Sequence, residues 1–161
     1  MTTDLDSLPY RPCVGVMLVN AHGRVFVGKR IDSKEGDAWQ MPQGGIDEGE
    51  DLHPAGLREL WEETGIGQDL VTILAESREE HFYDLPGELL GKLWGGRFRG
   101  QRQRWLLLRF TGEDHQINLG AHDQPEFLDW KWVEPETLPD LIVPFKKRVY
   151  RQVVEEFRAL I

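Results

Sequence analysis

Apolar residues fall in short blocks along the chain, separated by polar and glycine-rich stretches. Residues 13–19 form an unbroken apolar run of strand length, which predicts a strand buried on both faces. Asn20 to Gly23 is a turn signal, and Val25 to Gly28 resumes the extended pattern, so the two runs read as a hairpin. A polar loop is expected over 31–37. A short extended segment, Trp39-Gln40-Met41, stops at Pro42, because a residue before proline is biased away from helix. A glycine-rich loop over 43–50 leads into a helix expected from about 51 to 64. Asp51 suits its N-cap, Pro54 is tolerable in the first turn, and Gly65 suits the position just past its end. Gly56 inside this helix costs about 1 kcal/mol relative to alanine. A close backbone approach there would explain it.

Further strands are expected over 70–74, within 78–85, over 104–110 and over 127–133, with a glycine-bearing loop over 86–100. A last helix opens at Pro144. Phe145, Val149, Val153, Phe157 and Ile161 recur every four positions and give it one buried stripe. The order is strands, helix, strands, helix. It predicts an α/β fold, a mixed sheet covered by helices on its faces. Residues 1–9 read as a loose tail and 10–161 as one domain.

Composition narrows the class. The chain has 161 residues, a size that one core can serve. It is 40% hydrophobic and 29% charged, which argues against a mostly disordered chain. No apolar run approaches the ~18 residues of a membrane span, and the acidic start lacks the basic and apolar parts of a secretory signal. The single cysteine, Cys13, allows no internal disulfide and reads as a small buried apolar residue. Together these features point to the cytoplasm. The 28 acids outnumber 19 bases, for a net charge of −9, which weakens the case for a protein that merely coats nucleic acid.

Some of those acids are clustered. On the first helix Glu59, Glu62 and Glu63 stand at i, i+3 and i+4 and share one face. Their mutual repulsion costs a few tenths of a kcal/mol per pair, and a cation over that face would reverse the penalty. Magnesium takes oxygen ligands and commonly shares them with substrate phosphates. Metal-assisted attack on a phosphate ester or anhydride is the chemistry that such a face suits. A plain solvated acidic face is the alternative. The preceding glycines weigh against it, since they let the backbone bring a carbonyl close to the helix.

The string Gly44, five residues, Glu50, seven residues, Arg58-Glu59-Leu60, Trp61, Glu62-Glu63, Thr64, Gly65-Ile66 resembles the complete Nudix box, with every fixed position filled. The resemblance implies an α/β/α sandwich around a mixed central sheet, with a loop-helix-loop catalytic motif. It implies that Glu59 and Glu63 bind magnesium, with manganese able to substitute. Glu62 would bind directly or through water, and the Gln43 carbonyl would be the backbone ligand. Arg58 and Glu50 would form a salt bridge that orients the glutamates. The group that takes the proton from the attacking water is Glu59 or a glutamate from a distant loop. Gly44 and Gly65 are the box glycines.

Other segments resemble the bacterial RNA 5′-pyrophosphohydrolase branch of that family, which overlaps with the dinucleoside polyphosphate hydrolases. They are Tyr10-Arg11-Pro12, the run from Trp39 to Gly45, Gln103-Arg104-Trp105, Pro125-Glu126-Phe127 and the run from Val143 to Tyr150. By position Glu126 would complete the metal site. Arg11, Phe145 and Lys146 would contact nucleotide or phosphate, with Arg30 as a further phosphate contact and Tyr83 and Gln101 as weaker candidates. Phe145 is equally readable as core. Between Leu89 and Gly112 there are six bases, Lys92, Arg97, Arg99, Arg102, Arg104 and Arg109, and no acid. Trp94, Phe98 and Trp105 are interleaved with them. Cations meet phosphates and aromatic faces stack bases, so this segment reads as a track for a nucleic acid or as a solvated basic surface. The loop over 31–37 is longer than in the compact form of the branch, which leaves fine preference open.

The expected activity is therefore conversion of 5′-triphosphate or diphosphate RNA ends to monophosphate, as in mRNA decay. Asymmetric cleavage of a dinucleoside polyphosphate is the alternative. A sanitiser of damaged nucleoside triphosphates and a catalytically silent binding module stand further off, the latter because no box glutamate is lost. Oligomeric state stays open.

Overall fold

The computed structural model describes residues 7–31 and 38–161. Most of the loop expected over 31–37, and the tail before Ser7, lie outside them. Strand β1, Tyr10–Val19, is the centre of the molecule. Residues Val14, Val16 and Leu18 point to one face and Met17 and Val19 to the other, and all five are fully buried. The continuous apolar run thus has the two-sided burial expected of it. The turn at Asn20 to Gly23 leads into β2, Val25–Arg30, which returns antiparallel.

Strand β3, Gln43–Gly45, is three residues long and pairs antiparallel with β1 through Cys13 to Gly15. The expectation of a loop throughout 43–50 is corrected there: bare glycine backbone can lie flat against β1, which gives it extended pairing. Helix α1, Leu52–Thr64, follows with Asp51 as N-cap. Its C′ residue Gly65 has φ 72, the left-handed conformation that favours glycine. Strands β4, Val71–Glu76, β5, His81–Asp84, β6, Gly100–Phe110, and β7, Phe127–Val133, complete the sheet. Its order is β4-β6-β1-β2-β7, with β3 on β1 and β5 on β6. Among the described strands only β1 and β6 pair in parallel, from Tyr10 opposite Gly100 to Val19 opposite Arg109, so the sheet is mixed.

Helix α1 covers one face over Val14, Val16, Leu18, Leu106 and Leu108. A Cβ on Gly56 would collide with Leu106 Cδ1, so the glycine inside the helix serves its close approach to the sheet. The other face is covered by α2, Leu138–Leu141, and α3, Lys147–Phe157. On α3 Val149, Val153 and Phe157 are buried, as the four-residue period predicts, and Phe145 and Ile161 are partly buried against the same core. Cys13 is buried, and burial pushes its thiol up to about 11, an inert apolar filler. Among the described residues no helix is long and apolar enough to cross a membrane.

Candidate active site

Helix α1 brings its glutamates to the edge where β3 meets β1. Glu59 and Glu63 are 7% and 0% exposed, although each carries a carboxyl that water would solvate well. Gly44 explains the first: its missing Cβ is where the Glu59 carboxyl lies, so any other residue would evict that group. The Gln43 amide explains part of the second by donating to Glu63 Oε2 at 3.2 Å. Glu63 Oε1 is buried with no donor facing it while both it and the neighbouring Glu126 are ionised, a costly arrangement that favours a proton shared between the two carboxyls.

Arg58 binds this cluster from outside. Its Nε and Nη2 both donate to Glu50 at 2.8 Å, a forked pair, and Nη2 also donates to the Gly45 carbonyl at 2.9 Å. Its Nη1 reaches Glu59 Oε1 at 2.9 Å and Glu62 Oε2 at 3.2 Å. The guanidinium beside Glu50 holds that carboxyl down to about 2. Glu59 behaves oppositely. Burial raises it to about 6 against the pull of Arg58, with Glu62 and Glu126 adding repulsion. Glu63 is raised well above the ordinary range, first by burial and then by the charges of Glu126 and Glu59. Glu126 precedes β7 and its backbone carbonyl accepts from the Ile31 amide. Sixty-odd residues of chain separate it from α1, yet the fold places it against the same two glutamates.

Buried carboxylates, one with an orphaned oxygen, are a donor set that suits a hard divalent cation. Among the described residues, no three acidic, histidine or cysteine side chains converge on one metal-sized point as they stand. The reason is visible in the contacts. Arg58 Nη1 already bridges Glu59 and Glu62, so a cation would have to draw the Glu59 carboxyl off the arginine.

A cleft of about 460 Å³ opens beside Glu59. Glu126, Gln43 and Gly44 share its wall with Glu59. Each of the expected substrate contacts also lines it: Arg11, Arg30, Tyr83, Gln101, Phe145 and Lys146. Tyr83 and Gln101 are buried in its floor, with the Gln101 amide oxygen taking a 2.7 Å bond from Gln103. Phe145 and Lys146 are more open. The Phe145 ring is 5.5 Å from Tyr83, and Lys146 Nζ lies 5.6 Å from the Tyr83 centroid and 5.7 Å from that of Phe145. Phe145 is thus placed both at the edge of the core and on the cleft wall. Glu62 and Glu63 are not on the cleft wall; they stand behind Glu59. Glu50 and Gly65 hold α1 rather than the cleft.

The basic segment does not form one track. Arg102 and Arg104 alternate along β6 with Gln101 and Gln103, so they leave the cleft side of the sheet. There they meet Glu80 at 3.5 Å and Glu76 at 3.4 Å, while Arg99 meets Asp84 at 3.2 Å and Arg109 donates to the Asn20 carbonyl at 3.3 Å. Arg99, Arg102 and Arg104 thus sit in partly exposed surface ion pairs, closer to the solvated basic surface than to one continuous track. What the segment does give the cleft is an apolar wall, Leu89, Leu93 and Trp94. Gln40 also lines it and received no role from the sequence, although it lies in the run from Trp39 to Gly45.

The sequence is 77% identical over 161 residues to the RNA pyrophosphohydrolase of Novosphingobium aromaticivorans, covering all of both chains. It is 60% identical over 158 residues to the RNA pyrophosphohydrolase of Sphingopyxis alaskensis, covering 98% of this chain and 99% of that one. Among solved structures, the dihydroneopterin triphosphate pyrophosphohydrolase of E. coli superimposes with a TM-score of 0.71 at 23% identity, over 92% of this chain and 97% of that one. An Ap4A hydrolase of C. elegans, in a binary complex, gives 0.66 at 22% identity, over 94% and 99% of the two chains. At those identities the likeness is one of fold. The model of the NUDIX domain matches residues 9–153. With the α/β/α sandwich and the glutamate-bearing helix in place, the chain belongs to the NUDIX family.

Proposed function

We propose that this protein is an RNA pyrophosphohydrolase, dependent on magnesium with manganese able to substitute, that converts 5′-triphosphate RNA ends to 5′-monophosphates. One observation carries the reading: a single cleft joins the buried Glu59 carboxyl and the half-buried Glu126 to Arg11, Arg30 and Lys146 beside Phe145. That is an acidic metal-binding end and a cationic, aromatic end suited to polyphosphate and base. The relatives that share more than half of the sequence along its length narrow the substrate to RNA ends.

In this reading Glu59, Glu63 and Glu126 would hold the metal with the Gln43 carbonyl, and Glu62 would join directly or through water. A bound divalent cation supplies polarisation of phosphate oxygens and a more acidic water. The protein does the rest. Arg11, Arg30 and Lys146 hold the polyphosphate, and Phe145 offers a ring face to a base above the floor made by Tyr83 and Gln101. Glu59, beside the cleft, accepts the proton of the attacking water. The water oxygen bonds to phosphorus as the anhydride bond to the departing pyrophosphate breaks. Arg58, anchored by Glu50, fixes the direction of Glu59 and Glu62. Residues 10–161 act as one domain, with 1–9 as a tail, and the enzyme works in the cytoplasm where transcripts arise.

Turnover with magnesium of 5′-triphosphorylated RNA, diadenosine tetraphosphate and free nucleoside triphosphates, side by side, tests the substrate. The highest kcat/KM is expected on RNA. A clear preference for the dinucleotide would move the function to cleavage of dinucleoside polyphosphates.

A further inference from the structure

Arg11 enters the cleft from β1, and two neighbours restrict its guanidinium. One is the backbone of Gly45, where a Cβ would stand 2.7 Å from Arg11 Nη2, so a side chain at that position would push the arginine away. The other is the indole of Trp94, whose ring centroid lies 5.4 Å from Arg11 Cζ, within the ~6 Å reach of a cation–π contact. All three residues line the cleft.

Trp94 is held in place by more than this contact. Its backbone has φ 54 and ψ 37, and among the described residues it is the only non-glycine with positive φ. A bulky side chain takes that conformation rarely, and such outliers gather where a fold aims a functional group. Gly95 and Gly96 follow in the same region of φ and let the chain turn away at once. The ring packs against the inner core and meets Phe98 edge-on at 6.2 Å. The irregular segment between β5 and β6 is thus folded so that one indole stands against one arginine.

We propose that Trp94 is a positioning residue for Arg11: with the bare Gly45 backbone it fixes the guanidinium plane toward the cleft. The proposal rests on the reading that Arg11 binds substrate phosphate. A guanidinium recognises phosphate through a planar fork, so its orientation matters as much as its charge. An arginine without the ring keeps the charge and loses the fixed plane, and substrate binding must then order a flexible side chain.

Steady-state kinetics on 5′-triphosphorylated RNA test this with Trp94→Ala, Trp94→Leu, Trp94→Phe, Arg11→Ala and the Trp94→Ala/Arg11→Ala double variant, each checked by thermal melting. Trp94→Ala should raise KM about fivefold to twentyfold with kcat within about twofold, the range of a desolvated cation–π contact. Trp94→Leu keeps apolar bulk without a π face and should behave like Trp94→Ala, while Trp94→Phe should recover most of the loss. In the Arg11→Ala background the loss of Trp94 should add less than about twofold, because coupled residues do not act additively. Wild-type KM in Trp94→Leu, or an undiminished effect of Trp94→Ala without Arg11, would overturn the positioning role alone. If Arg11→Ala leaves KM unchanged, the phosphate-binding reading of Arg11 fails and the proposal falls with it.

Discussion

Arg58 sets the state of the carboxylate cluster. It spends its donors on Glu50, the Gly45 carbonyl, Glu59 and Glu62 together, so it neutralises the glutamate face and orients it at once. A lysine keeps the charge but not the fork. Arg58→Lys should therefore lower metal affinity and turnover by about 10- to 100-fold, read by manganese titration and by rate. The titration of the cluster gives a second test. Folded Glu59 holds its proton up to about 6, against an ordinary 4.5, and Glu63 shifts in the same direction. The folded state then binds more protons than the unfolded one, so the metal-free protein loses stability as pH rises through that window. Glu50, held down to about 2, has the opposite sign: its contribution is present above 4.5 and fades as pH falls toward 2. Melting temperatures without metal should pass through a maximum near pH 4.5, and magnesium should raise them far more at pH 7 than at pH 5. A metal effect that is the same at both pH values would show that these carboxylates are not the ligands.

At the scale of elements, the parallel pairing of β1 with β6 sets Gly15 opposite Trp105. The place of a Cβ on Gly15 is filled by the Trp105 indole. That ring is fully buried and tied by its Nε1 to Gln103 at 3.0 Å, so it cannot yield cheaply. Gly15→Ala should cost about 1–3 kcal/mol by overpacking, measured by urea unfolding; an unchanged midpoint would show that the ring moves aside. This contact also marks the limit of what the sequence carries. The two-sided strand β1, the helix α1 with its glycine end and the stripe on α3 were legible because each rests on local periodicity or on the left-handed turn at Gly65; Asp51 starts α1 where expected but makes no side-chain capping bond. The glutamate face was legible for the same reason, since i, i+3 and i+4 fix a face wherever the helix goes. Gly15 under Trp105 and Trp94 against Arg11 depend on which strands meet. The basic run is not segregated from acids in the fold, because Arg104 meets Glu76 at the end of β4 and Arg102 meets Glu80 in the turn before β5. A linear reading shows six bases and no acid, and the sheet supplies the acids.

For the whole molecule, a net charge of −9 sets long-range repulsion against a polyanionic substrate. In the proposed reading attraction is local, at Arg11, Arg30 and Lys146, which line the cleft. Three cations at roughly 0.7 counterions per phosphate give a slope of about −2 for log affinity against log salt, shallow for a protein that acts on RNA. A steep slope, beyond about −5, would point to a long track of contacts elsewhere on the surface. The central claim is that the Glu59 cluster hydrolyses the RNA 5′ end. The most direct test follows pyrophosphate release and the 5′-monophosphate product from triphosphorylated RNA, with magnesium, for the wild type and Glu59→Gln. The account predicts both products from the wild type, and a loss of about 10²- to 10⁴-fold in the variant with its fold intact, since glutamine can neither accept the proton nor carry the charge. Wild-type rates in Glu59→Gln would contradict it.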